Sequence, residues 1–96
     1  MTFEVFRASL TSAAPPTEAS VYLQSLWHDG KGDWDSSHNI IQDVNDKTAA
    51  WIHAYLHRKE GDVWNANYWY AKASKRMPGY SLDQEWEEIV KELLLT

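Results

Sequence analysis

The sequence predicts an all-α fold, and three observations predict it. Apolar residues recur at helical spacing in about five successive segments. Ser, Thr or Asp precedes each segment, and Gly, Pro or Asn follows most of them, as helix caps and stops do. The body of the chain shows no strand-like alternation of apolar and polar residues. At 96 residues the chain is expected to be one domain, long enough for a single core without disulfide or metal staples.

Residues 1–16 are expected to be a poorly organised N-terminal arm. Thr2 to Leu10 reads as a short strand or an irregular segment pinned by Phe3, Val5 and Phe6. The run Thr11 to Pro16 reads as a linker, because consecutive prolines cannot continue a helix. Thr17 is then placed as the cap of a first helix running to about Asp29, with Val21, Tyr22, Leu26 and Trp27 on its apolar side. The stretch Gly30-Lys31-Gly32 breaks that helix and Asp33 caps the next, whose stripe is Trp34, Ser37, Ile40, Ile41 and Val44. Asn45-Asp46 leads into a third helix from Lys47 to Glu60, with Ile52, Tyr55 and Leu56 buried and Trp51 at the border. Gly61 suits the position just past a helix end, and Asp62 suits the next cap. The fourth helix carries Ala66, Trp69, Tyr70, Ala73 and Met77 on one face and stops at Met77-Pro78-Gly79. Ser81, with Gln84 three residues on, forms a capping box for the last helix, which is lined by Leu82, Trp86, Ile89, Val90, Leu93 and Leu94.

Gly32-Asp33 and Gly61-Asp62 lie 29 residues apart, and that offset also matches His28 with His57 and Leu23 with Ile52. A fixed period of this kind marks one supersecondary unit used twice. The segment from Ala50 to Asp62, followed by Ala66 and Tyr68 to Ala73, resembles a tetratricopeptide-type hairpin, and residues 21–44 resemble a more degenerate copy. The resemblance covers residues 20–76. It departs from the family in a spacing shorter than the usual 34 or so residues and in placing Ser37 where the second copy has Ala66. It implies two antiparallel helical hairpins with a C-terminal capping helix, and a groove that holds peptides or partner helices. The stretch is also similar to small bacterial proteins of unknown function.

Composition excludes several function classes. A formal charge of −5 opposes non-specific nucleic-acid binding, which depends on neutralising phosphate. No apolar run approaches the roughly 20 residues of a membrane span. The absence of cysteine fits a reducing, cytoplasmic setting and removes thiolate chemistry. No nucleophile-elbow serine and no phosphate-binding glycine loop is present, so no cofactor is expected. Six tryptophans and five tyrosines exceed what one small core needs, which points to a protein partner or a homodimer.

Two candidate binding groups remain. His53, His57 and Glu60 lie along one side of the third helix, and His38 with Gln42 stands on the flank of the second. If these two helices pack antiparallel, His38 faces His57 or Glu60. Imidazoles one turn apart can share a metal ion or form a pH-sensitive hydrogen-bond network. The zinc-protease pattern fails, since Ala54 stands where its general base would be. Structural histidines and no resident metal are therefore the first expectation, with a metal-assisted hydrolase or small-ligand binder as the alternative. The second group is an aromatic patch of Trp64, Asn67 and Tyr68 suited to peptide or sugar contact. Arg58-Lys59-Glu60 reads as a solvated last turn, and Glu85, Glu87 and Glu88 as an acidic helix start favoured by the helix dipole. The function expected is a small helical-repeat-like interaction or structural module.

Overall fold

Thr2 accepts a hydrogen bond from the Val5 amide at 3.1 Å and so starts a helix, α1, over Phe3–Ala8, which closes in a 3-10 turn at Ser9–Thr11. The computed structural model describes residues 1–95, and among these the chain forms six α-helices and no strand. The arm expected to be a strand or irregular is thus helical. Phe3 and Phe6 are spaced for one helical face, and both rings meet Trp86, at 6.0 and 5.9 Å between centroids. Phe6 is fully buried while Val5 turns outward. Hydrogen bonds from Trp27 Nε1 to the Ser9 carbonyl and from Lys31 Nζ to the Leu10 carbonyl fasten the turn to the body.

The remaining helices are α2 (Val21–Gly30), α3 (Trp34–Ile41), α4 (Lys47–Lys59), α5 (Val63–Lys72) and α6 (Leu82–Leu94). Asp33, Asp46 and Asp62 each accept from the amide three residues on, and Ser81 with Gln84 forms the full capping box. The cap of α2 is Ser20, not Thr17. The Ala19 amide donates to the Pro16 carbonyl in a separate turn, so the helix starts only after it.

Gly32 and Gly61 both have φ of +85°, a conformation that favours glycine. The Asp33 amide donates to the His28 carbonyl and the Gly32 amide to that of Asp29. The Asp62 and Gly61 amides repeat the pattern on His57 and Arg58. Both hairpins therefore turn through the same Schellman closure. The match extends inward: Ser25 and Ser37 of the first hairpin correspond to Ala54 and Ala66 of the second, and all four are fully buried. These small residues let the paired helices approach closely, and Ser25 Oγ satisfies itself on the Ser37 carbonyl at 2.9 Å.

A third closure of this kind ends α5 at Lys72 instead of carrying it to Met77. The Lys75 amide donates to the Tyr70 carbonyl, and Ser74 takes φ of +60° where the other two turns have glycine. Left-handed backbone costs a side-chain-bearing residue roughly 1–2 kcal/mol, while glycine frees the unfolded chain by about 0.4–1 kcal/mol. Ser74→Gly is accordingly expected to stabilise the fold by up to about 1 kcal/mol, read as a raised urea midpoint. A lowered midpoint would show that Ser74 stores no strain.

The helix α4 is the axis of the molecule. It packs on α5 within its hairpin, on α3 and α2 of the first hairpin, and on α6. Its buried surface is wider than one stripe: every residue from Ala49 to Leu56 is buried, Trp51 and His53 included. The helix α6 packs against α1, α2 and α4. No helix among the described residues is long and apolar enough to cross a membrane.

Candidate functional site

The packing of α3 on α4 brings three imidazoles together. His38 comes from α3, and His53 and His57 stand one turn apart on α4. One ligand nitrogen from each of the three lies within 4.8 Å of the other two. His38 Nε2 and His53 Nε2 are 3.0 Å apart, so one donates to the other. His57 Nδ1 donates to Glu60 Oε1 at 2.6 Å. That bond assigns a proton to Nδ1, so that Nε2 is the nitrogen turned away from Glu60.

Two indoles hold the rings in place. Trp34 stacks on His38 at 4.9 Å between centroids, and Trp69 stacks on His53 at 4.0 Å. Trp34 is itself anchored by its Nε1 donating to the Leu56 carbonyl at 2.8 Å. Burial pushes the His53 imidazole down to about 4, and the adjoining His38 and His57 rings act in the same direction. Burial also lowers His38, followed by the His57 ring, against the opposing pull of Glu60 and Asp35. Among the described residues, no serine or threonine hydroxyl is hydrogen-bonded to an imidazole. The cluster therefore has the composition of a metal or proton site and lacks a nucleophile–base pair.

Gln42 does not join the group. It lies exposed past the last turn of α3, and among the described residues no hydrogen bond ties its side chain to a histidine. Glu60 joins through His57, and His57, Glu60 and Asp62 form a second potential ligand set on the exposed side. The residues of the aromatic patch are exposed: Trp64 and Tyr68 stack at 6.1 Å, with Asn67 exposed beside them and Lys72 Nζ above the Tyr68 ring. Asn65 serves the helix cap, donating to Asp62 Oδ2. A cleft of about 550 Å³ between Tyr22, Trp51 and Lys75 contains none of the histidines.

The structure overturns two readings of surface charge. Glu85 is fully buried, accepting from Tyr70 Oη at 2.6 Å, Trp51 Nε1 at 3.2 Å and Arg58 Nη1 at 2.9 Å. Asp29, also buried, accepts from Tyr55 Oη at 2.7 Å and Lys59 Nζ at 2.8 Å. Arg58 is thus the half-buried partner of a buried carboxylate and not a solvated side chain, whereas Lys59 reaches Asp29 from an exposed position in the last turn. The two tyrosine hydroxyls are held well above their ordinary range, chiefly by burial. One signal in the chain marks both acids. Asp29 follows Leu26 by three residues, and Glu85 stands three after Leu82 and four before Ile89, so each occupies an apolar stripe.

No protein-family model, no curated protein and no solved structure matches this chain, so its functional reading rests on the geometry of the histidine cluster and of the aromatic face of α5.

Proposed function

We propose that this chain is a small helical-repeat-like protein-interaction module of two tetratricopeptide-like hairpins, working in the cytoplasm, whose partner is a second copy of itself docked on α5. The observation that supports the reading is the uncovered outer face of α5. In a stack of hairpins, the second helix of one unit is covered by the first helix of the next. The helix α3 receives α4 in that way, whereas α5 packs extensively against α4 alone and α6 lies mainly on α1, α2 and α4. That leaves Trp64 at 76% exposure, with Val63 and Tyr68 exposed alongside it. Contiguous exposed apolar side chains mark association surfaces, and Trp and Tyr carry a large share of interface energy. A two-fold pairing of α5 faces covers both open ends of the stack at once.

Sedimentation across a wide dilution range tests the reading. The chain is expected to dimerise at micromolar concentration, above its 11.1 kDa monomer mass. The double substitution Trp64→Ala with Tyr68→Ala is expected to return it to monomer with an unchanged circular dichroism spectrum, because neither ring belongs to the core. A wild-type monomer at every concentration overturns the homodimer.

A further inference from the structure

We propose that His38, His53 and His57 form a binding site for one divalent transition-metal ion of the imidazole-preferring class, zinc above all. The site does not depend on the dimer.

Three features carry the inference. The first is convergence: three imidazoles from two helices offer nitrogens within 4.8 Å of one another. A tetrahedral ion with Zn–N bonds of about 2.0–2.1 Å sets its ligand nitrogens roughly 3.3 Å apart. The 3.0 Å separation between His38 Nε2 and His53 Nε2 is already close to that figure. Small rotations of the rings complete the triangle, and the ion then replaces the hydrogen bond between the two rings.

The second feature is the outer support of His57. Its Nδ1–H bonds to Glu60 Oε1 at 2.6 Å, which leaves Nε2 as the ligating atom. A carboxylate behind a ligating histidine orients the ring and raises its basicity. The third is rigidity. Trp34 and Trp69 stack on two of the three rings at 4.9 and 4.0 Å, so little side-chain freedom remains to be lost on binding. Imidazole ligands suit zinc, copper and nickel over magnesium or calcium. Three protein ligands also leave a fourth position for water or a small anion, the open coordination that hydrolytic zinc sites use.

His28 is the internal control. It is the fourth histidine of the chain and packs edge-on against Trp27, outside the cluster. The test is calorimetric titration of chelator-stripped chain with zinc chloride, paired with the visible spectrum of the cobalt(II) complex. One ion per chain is expected, with micromolar or tighter affinity and cobalt bands of tetrahedral type. His38→Ala and His57→Ala should each weaken binding by more than tenfold, and Glu60→Gln by about 10- to 100-fold. His28→Ala should bind as wild type. Circular dichroism checks the fold of each variant, and His38→Ala and Glu60→Gln keep the test decisive should substitution on α4 unfold the chain. Wild-type chain that shows no saturable binding up to millimolar zinc overturns the proposal. So does zinc binding unchanged in folded His38→Ala and His57→Ala, which would locate the ion elsewhere.

Discussion

Arg58→Met is expected to lower the unfolding free energy by about 3–5 kcal/mol, the range seen when one member of a buried ion pair is removed. Glu85 sits at 0% exposure, and Arg58 Nη1 at 2.9 Å is the cation bonded to it. Without that guanidinium, the carboxylate must remain charged in a dry setting or take up a proton, and either course costs free energy. The variant also abandons the bond from Arg58 Nη2 to the Tyr80 carbonyl, which fastens the start of α6. Glu85→Gln keeps an acceptor for Tyr70 Oη and is expected to cost roughly 1–3 kcal/mol. The two changes combined should cost clearly less than their sum, with a coupling of at least about 1 kcal/mol, since a neutral amide does not need the lost cation. Urea unfolding of the four proteins gives the cycle. A loss under about 1 kcal/mol for Arg58→Met would mean that the pair behaves as a solvent-screened surface bridge.

Acid is expected to weaken the metal-free chain by on the order of 3 kcal/mol between pH 6.5 and pH 4. His53 accounts for the effect. In the unfolded chain its imidazole takes a proton near pH 6.5, whereas in the folded chain burial holds that step down to about 4. Between those values the unfolded state binds the extra proton, so stability is full above pH 6.5 and drains as pH falls through the window. His38, lowered by burial as well, adds to the loss with the same sign. Asp33 and Asp62 are lowered by their cap hydrogen bonds, so their contributions are lost at still lower pH. Unfolding midpoints measured at successive pH values test this, with His53→Gln expected to flatten the curve between pH 6.5 and 4. A flat wild-type curve would show that the folded cluster accepts a proton as readily as the unfolded chain.

Local chemistry in the sequence was legible; partners distant along the chain were not. The caps at Asp33, Asp46, Asp62 and Ser81 each rest on a side chain and an amide three residues away, so the sequence displays both members. The glycine turns were legible for the same reason. The end of α5 was not, because Ser74 adopts the left-handed conformation without the glycine that usually signals it. The N-terminal helix α1 was missed because six residues hold too few apolar positions to separate a spacing of three from a spacing of two. Of the histidine site, His53 and His57 follow from helical spacing alone. The meeting with His38 required the packing of α3 on α4, and the exposed Gln42 shows that spacing without packing overreaches. The buried charges were furthest from view. Glu85 tolerates burial through Trp51, 34 residues earlier, Arg58, 27 earlier, and Tyr70, 15 earlier, and nothing local to Glu85 announces any of them.

The all-round burial of α4 bears on how the two hairpins behave as units. In an extended solenoid each repeat answers only to its neighbours, and segments can open piecemeal. Here α4 supplies Tyr55 and Lys59 to Asp29 on α2, and Trp51 and Arg58 to Glu85 on α6, while its other sides meet α3 and α5. The amides of its buried middle, Ala49 to Leu56, are expected to exchange with solvent only when both hairpins and the terminal helix open together. The two hairpins are thus expected to open as a single cooperative unit. A break in the polypeptide at Asn45, between the two hairpins, is accordingly expected to leave each half with an incomplete core.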